Sequence, residues 1–278
     1  MLKYFFYSSV LAVSVTFAQD SRQERFLELY SEEEISLPVL YSHLEGLKGE
    51  ELLLALHKMS GQGYKDKEYH EAKSHLYDVI DNFNGKVKTV YSGLSIAKDG
   101  YRYVEVGDQD GDGNSDDFVN CEHIWPQSKF AKLVPMVSDL HHLYPALSVP
   151  NRMRSDLPFG VVKSTPEYST RAGSRLADGE FEPSHQDKGN VARAMLYFYT
   201  RYLDRDIFLK TDKKRFFLDR IPVFLEWNQQ DRVDGAEKER NDRIQEYQGN
   251  RNPYIDFPGF ADRIGKDVFL KGAGSLGL

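Results

Sequence analysis

The sequence predicts an α+β fold that is mainly helical, and three observations lead to this prediction. Apolar residues recur at intervals of three and four, the spacing of a buried helix face, in residues 50–59, 68–83, 189–203, 212–227 and 236–247. β-Branched and aromatic residues concentrate in short stretches typical of strands, at 87–96, 118–125 and 139–147. No sequence repeat and no linker interrupts the chain, so a single domain is predicted for residues 19–278.

Glycine, proline and asparagine indicate where these elements begin and end. The tetrapeptide NFNG at 82–85 should end the second helix. A turn of helix is expected within 128–133, and Pro150 permits a new short helix at 151–155. Gly249 and Pro253 should stop the last helix.

The composition is that of a globular protein. Of the 278 residues, 40% are hydrophobic and 28% are charged, and no internal stretch is long and apolar enough to span a bilayer. The formal net charge is -7. Nucleic-acid affinity comes largely from lysine and arginine neutralising phosphates, so any basic surface for such a partner must be local.

Residues 1–18 have the features of a signal peptide. Lys3 supplies a positive start, residues 4–17 are mostly apolar, and Thr16-Phe17-Ala18 fits a cleavage site. We therefore expect export to the periplasm or the cell exterior, with an ordinary buried N-terminal helix as the alternative. Because Cys121 is the only cysteine, no intramolecular disulfide can form, and stability must come from the core or from bound metal.

Three polar groups of residues carry the chemistry expected of a phosphodiesterase. They are Glu122-His123, residues 139–142 (DLHH), and Asn151 followed by Arg154. Hydrolysis of a phosphodiester needs a deprotonated water, neutralisation of charge on the phosphate, and help for the departing oxygen. Histidine suits the base, and carboxylate and amide oxygens are ligands that Mg²⁺ accepts while keeping several waters. Since neighbouring side chains on a strand point to opposite faces, Glu122 and His123 can serve one phosphate only where the strand ends or twists.

Four ordered blocks of the sequence resemble the bacterial endonuclease I family, which comprises secreted or periplasmic nucleases with a His-Me finger (ββα-metal) active site. The blocks are CEHIWPQS at 121–128, SDLHHLYPALSVPNRMRSDLPFG at 138–160, KGNVARAMLYFYTRY at 188–202 and ERNDRIQEYQGNRNPYID at 239–256. The resemblance covers roughly residues 53–256. It implies a mainly helical domain around a small ββα-metal core.

The same resemblance implies a role for each matching residue. His123 is expected to be the general base, and Glu122 and Asn151 the Mg²⁺ ligands, with Mn²⁺ as a substitute. Arg154 matches a family arginine, for which phosphate contact and local structural pairing both remain open. The family's better-studied members carry another arginine between the first two blocks, which this chain lacks; Lys129, Lys132, Arg154 or a water could take its place.

Some of these residues have simpler interpretations. Asn151 stands ahead of a short predicted helix, where asparagine is a favoured N-cap. For His141 and His142 we expect one to orient the site through a hydrogen bond and the other to pack. Arg193 and the polar residues Glu237, Arg240, Arg243, Asn250 and Asn252 are expected to form hydrogen bonds within the scaffold. Tyr197, Tyr199, Tyr202 and Trp227 are at helical spacing and are expected in the core.

The acidic segment 108–117, DQDGDGNSDD, is a candidate calcium loop. Its pattern Asp108, Asp110, Asp112, Asn114 and Asp116, with glycine at the sixth place, resembles the start of an EF-hand loop. Val119 occupies the place of the bidentate glutamate, so a solvated acidic turn is the alternative. Bound Ca²⁺ would be structural.

The sequence thus supports two hypotheses about function. The first is an exported, Mg²⁺-dependent and largely sequence-nonspecific endonuclease that cuts DNA, with RNA left open as a second substrate, and leaves 5′-phosphate products. A site that contacts only phosphate and sugar reads no bases. The second is an exported nucleic-acid- or calcium-binding protein that has kept the fold and lost turnover. In both cases nucleic acid is the expected partner, no protein partner or membrane is indicated, and a monomer is expected.

Overall fold

The computed structural model describes residues 39–97 and 119–271. The predicted signal peptide and the acidic segment 108–117, with its candidate calcium ligands, lie outside the described residues. The chain divides into two compact units, Met1–His43 and Leu44–Leu278. Of the first unit, only residues 39–43 are described, within the 3-10 helix Val39–Leu44. Everything below concerns the second unit.

Helices make up most of the described chain, as predicted. In order they are α1 (Gly49–Ser60), α2 (Tyr69–His75), α3 (Ser148–Arg154), α4 (Lys188–Arg201), α5 (Lys213–Phe216), α6 (Ile221–Gln230), α7 (Gly235–Gln248), α8 (Pro253–Asp256), α9 (Phe260–Ile264) and α10 (Lys266–Lys271). Short 3-10 turns occur at Gln127–Lys129, Met136–Ser138, Leu140–His142 and Leu218–Arg220. No described helix has both the length and the apolar character needed to cross a membrane.

Two predicted helices are shorter than the sequence pattern suggests. The helix expected over 68–83 stays α-helical only as α2, continues as a π turn over Leu76–Ile80, and gives way to a hairpin at Asn84-Gly85, both with positive φ. The helix expected over 212–227 is interrupted between α5 and α6. Pro222 lies in the first turn of α6, where its missing N–H costs no hydrogen bond, so a new helix starts there.

The strands form three small antiparallel sheets. They are β1 (Asn82–Phe83), β2 (Lys86–Lys88), β3 (Ser95–Ala97), β4 (Val119–His123), β5 (Leu143–Leu147), β6 (Tyr168–Ser169), β7 (Arg175–Ala177) and β8 (Glu180–Glu182). The sheets have the strand orders β1-β2-β3, β4-β5 and β6-β7-β8. The predicted α+β class is therefore confirmed.

The β4–β5 pair and the helix after it position the candidate site. Its register places Val119 opposite Leu147 and His123 opposite Leu143, and α3 begins directly after β5. The face bearing Val119, Leu143 and Leu147 packs on a buried apolar cluster shared with α2, the π turn and α7. By strand alternation, the even-numbered residues of β4 point to the other face, toward α3.

A buried carboxylate, Asp139, joins the hairpin to the helices. It accepts hydrogen bonds from Tyr197 (2.9 Å) and Tyr202 (2.8 Å) at α4 and from Gln248 (2.9 Å) of α7, and pairs with Arg201 (3.1 Å). Burial alone would raise the pKa of Asp139, but Arg201 and the two neighbouring histidines hold it below its ordinary value. The carboxylate therefore stays ionised in the interior.

The remaining scaffold predictions are confirmed. Tyr197, Tyr199, Tyr202 and Trp227 are buried in the core. The guanidinium of Arg193 pairs with Glu237 (2.6 Å), and Arg240 pairs with Asp81 (2.9 Å), all four side chains being buried. Arg243, Asn250 and Asn252 bond to backbone carbonyls.

Gly249 ends α7 in the left-handed conformation (φ 92°), and we predict that Gly249→Ala destabilises the fold. A Cβ there would collide with the Gly63 carbonyl oxygen, next to the 2.8 Å bond from Lys65 N–H to the Gln248 carbonyl. Strain and clash together should cost about 2 kcal/mol or more. Urea denaturation measures the loss. Gly235→Ala, at the open start of the same helix, is the control and should change stability by less than about 1 kcal/mol.

Acid should destabilise the protein through buried histidines, and His142→Gln should remove part of this effect. Burial lowers the pKa of both His141 and His142 to about 4. An unfolded chain binds these protons near pH 6.5, so the folded state loses stability as the pH falls from about 7 to 4. A glutamine amide can still donate to the Met136 carbonyl, which His142 Nε2 contacts at 2.7 Å.

The measurement for His142→Gln is the free energy of unfolding of both proteins between pH 4 and 7. The variant should gain up to about 3 kcal/mol relative to the original chain as the pH falls across this window. Parallel curves for the two proteins would contradict the prediction.

Candidate functional site

Glu122 lies on the α3 face of β4 and is held by two side chains. Its Oε1 accepts hydrogen bonds from the Tyr91 hydroxyl (2.8 Å) and from Nη1 of Arg154 (2.9 Å), and the residue is only 3% exposed. Burial raises the pKa of Glu122, while Arg154 and Tyr91 oppose the rise. The carboxylate is thus fixed in position and has an adjacent positive charge.

Asn151 lies on the same side as Glu122. Its amide nitrogen donates to Oδ1 of Asn120 (2.5 Å), two residues before Glu122 on the same strand face. This bond uses the donor end of the Asn151 amide and leaves its carbonyl oxygen as a ligand for another partner. The alternative N-cap role for Asn151 is wrong, because α3 begins earlier, with Leu147 at the N-cap, and Asn151 lies within the helix.

His123 is the last residue of β4, and its side chain starts on the opposite face from Glu122, as strand alternation requires. Its ring contacts those of Tyr69 and His142, with centroids 5.5 and 5.4 Å away. Nε2 lies 3.0 Å from the Val137 carbonyl oxygen. Because a carbonyl only accepts, Nε2 carries the hydrogen and Nδ1 the lone pair. Nδ1 is buried and has no partner among the described residues.

Burial also controls the charge of His123. Burial, then the nearby His142, lower its pKa well below the ordinary value, although the bond to the Val137 carbonyl opposes this. The imidazole is therefore neutral at neutral pH. A neutral ring with a fixed tautomer and an unpartnered Nδ1 can accept a proton at that atom.

Arg154 is fully buried and bonds to the hairpin. Besides Glu122, it donates to the carbonyls of His123 (3.0 Å) and Ile124 (2.7 Å), and its guanidinium lies 4.3 Å from the centre of the Phe159 ring. These contacts are the ones expected if Arg154 has a structural role, in which it pairs with neighbouring groups of the protein. Direct phosphate contact by Arg154 stays a prediction.

The two lysines proposed to replace the missing arginine differ in their surroundings. Lys129 is 5% exposed and pairs with Asp156 at 2.8 Å, so its charge is already matched. Lys132 is exposed, in a left-handed turn at φ 57°, and is close enough to contribute to the lowered pKa of His123. Of these two lysines, only Lys132 is therefore placed to meet a polyanion.

His141 and His142 are both fully buried. Each ring bonds through Nε2 to a backbone carbonyl, that of Asn250 (3.1 Å) for His141 and that of Met136 for His142. His142 also contacts the His123 ring edge-on. Both histidines therefore have packing roles, and His142 in addition helps to fix the imidazole of His123.

The chemistry of the donors fits a hydrated hard cation better than a cage of protein ligands. Within the described ranges, no group of three or more His, Cys, Asp or Glu side chains is arranged to hold a metal ion. Glu122 and the Asn151 carbonyl oxygen would supply two oxygen ligands, and Mg²⁺ keeps several waters in such sites. His123 would act beside this site and would not be a ligand.

Sequence reasoning missed two residues of the site. Asn120 could have been found, because period-two alternation from Glu122 places it on the same face. Tyr91 could not. It lies 31 positions away, and its left-handed backbone (φ 73°) is fixed by bonds to Asp187 (3.0 Å), Thr170 (2.8 Å) and Ser174 (2.8 Å) from distant segments.

Comparison with known proteins gives consistent similarities. An "Extracellular ribonuclease" of Bacillus amyloliquefaciens is 37% identical over 155 residues, covering 52% of this chain and 53% of the relative. One of Bacillus subtilis (strain 168) is 37% identical over 162 residues, 55% of each. An "Extracellular deoxyribonuclease" of Aeromonas hydrophila is 31% identical over 124 residues, 44% of this chain and 50% of the relative.

The chain spans about half the length of the curated relatives it matches. The family model described as Endonuclease I matches residues 48–259, which include β4, β5, α3 and most of the described helices. Because this match extends over most of the 278 residues, the protein belongs to the Endonuclease I family.

Proposed function

We propose that this protein is a metal-dependent endonuclease that hydrolyses phosphodiester bonds in DNA and RNA and leaves 5′-phosphate products. The observation that carries the proposal is the buried, unpartnered Nδ1 of His123, which directly follows Glu122 in β4, where Arg154 fixes the Glu122 carboxylate. Relatives named as ribonucleases and as deoxyribonucleases support both types of substrate. The β4–β5 pair followed by α3 would be its ββα-metal core.

His123 would act as the general base at Nδ1. With Nε2–H held by the Val137 carbonyl, Nδ1 can take a proton from the attacking water without a change of tautomer. The proton taken up would place a positive charge on the ring, which the carbonyl contact stabilises. His142 and Tyr69 would keep the ring in this orientation.

Glu122 and the carbonyl oxygen of Asn151 would hold Mg²⁺, with Mn²⁺ as a substitute. When bound, the cation would offset the charge that develops on the phosphate and the departing 3′-oxygen. Arg154 and Tyr91 keep the Glu122 carboxylate oriented, and Asn120 keeps the Asn151 amide turned with its oxygen free. Because these groups would contact phosphate alone, low sequence specificity is expected.

Export is part of the same proposal. Residues 1–18 would direct the chain to the periplasm or the cell exterior. The names of the relatives reported above describe those proteins as extracellular. Both locations supply divalent cations and nucleic acid.

The proposed base is tested with His123→Ala. The variant should lose about 10²–10⁴-fold in the rate of plasmid or RNA cleavage, since a positioned general base contributes about that much. EDTA should abolish cleavage by the original chain. His185→Ala, at an exposed histidine, is the control and should keep full activity. Undiminished activity in His123→Ala would refute the mechanism, and binding without cleavage by the original chain would favour the non-catalytic hypothesis.

The proposed cation site is tested with Asn120→Ala, which removes the partner of the Asn151 amide without touching the proposed ligands. The Mg²⁺ concentration for half-maximal cleavage should rise about tenfold, with the rate at saturating Mg²⁺ largely kept. Cys121→Ala, the next residue on the opposite strand face, is the control. If Asn120→Ala and Cys121→Ala gave the same Mg²⁺ dependence as the original chain, Asn151 would not be the ligand.

A further inference from the structure

A groove of about 370 Å³ lies next to the candidate site. It is lined by the turn before β3, by the junction of β5 and α3, and by the segment at β6, with Leu94, Leu147, Pro150, Tyr168 and Arg171 among its walls. Its volume falls within the range of about 300–1,000 Å³ that is usual for small-molecule sites. A group of nucleotide size can therefore be accommodated.

Two residues of the groove wall are linked to the proposed metal ligands. Pro150 in its wall directly precedes Asn151 in α3. Thr170, also in the wall, donates to the Tyr91 carbonyl (2.8 Å), and the Tyr91 hydroxyl holds Glu122. An occupant of the groove would thus contact the start of α3, one residue before Asn151.

The walls combine apolar and aromatic surface with one cation. Leu94 is 38% exposed and Tyr168 is half-buried, so each presents apolar surface to the groove. The side chain of Arg171 is exposed and forms no ion pair with another residue of the described ranges. On a chain of net charge -7, an exposed guanidinium beside apolar surface is complementary to a ligand that carries both an anion and a flat apolar ring.

We propose that this groove is a subsite for one nucleotide of the substrate strand, next to the phosphate that is cut. Arg171 binds the phosphate of that nucleotide, and Leu94 and Tyr168 contact its sugar and base. The proposal rests on the nuclease function proposed above, because it takes the groove to be part of the path of the strand across the site.

The test measures binding separately from cleavage. Binding of a fluorescein-labelled single-stranded oligonucleotide of mixed sequence is followed by anisotropy in EDTA, at several salt concentrations, for the original chain, Arg171→Gln and Arg232→Gln. Arg232 is an exposed arginine between α6 and α7 that does not line the groove, so it is the matched control. Thermal unfolding of all three proteins verifies that they are folded.

We expect Arg171→Gln to bind about tenfold more weakly, as for the loss of one charged hydrogen bond. The slope of log affinity against log salt should flatten by about 0.7, the value for one phosphate contact on a single strand. Arg232→Gln should match the original chain in both. Equal affinity and slope in Arg171→Gln and Arg232→Gln, or no binding by the original chain, would overturn the subsite. Binding that depends on Arg171 without cleavage in Mg²⁺ would instead refute the nuclease function and leave the subsite standing.

Discussion

The charge of Asp139 constrains the whole arrangement around the hairpin. An ionised carboxylate in the interior is stable only if charge and hydrogen bonds compensate its loss of water, and removing one partner of such a pair costs about 3–5 kcal/mol. Here the compensation comes from Tyr197, Tyr202 and Arg201 at α4 and Gln248 at the end of α7. The two longest of the described helices are therefore held against the segment that leads into β5. Arg201 also donates to the Ser60 carbonyl, which ties α1 to the same point.

A second buried pair, Arg154 with Glu122, holds α3 against the end of β4 at the candidate site. The guanidinium reaches across from α3 and binds both the carboxylate and two carbonyls at the end of β4. The strand end can therefore move neither toward nor away from α3 without breaking charged hydrogen bonds. The same guanidinium thereby holds the backbone of His123 and the carboxylate of Glu122, although the two side chains start on opposite faces of the strand.

Local features of the sequence predicted the parts of this arrangement that depend on periodicity. Helices α1, α4 and α7, strand β4 and the stop at Gly249 follow from side-chain spacing and backbone preference within one segment. The breaks after α2 and before α6 were not predicted, since apolar spacing alone continues across them. The contact of Tyr91 with Glu122 was also beyond local reasoning, because it needs a left-handed residue held by side chains from the turn between β6 and β7 and from the N-cap of α4.

The presence of Arg154 beside Glu122 has a consequence for cation binding. Without it, burial would favour a protonated carboxyl, which is a poor ligand for Mg²⁺. Arg154 lowers the pKa of Glu122 and so favours the ionised carboxylate, but it also compensates part of that charge. A cation at the proposed site would meet a carboxylate whose charge is partly compensated, and the Asn151 oxygen, being neutral, would add little charge. The proposed site should therefore favour exchangeable binding of an abundant divalent cation over tight retention of a scarce one.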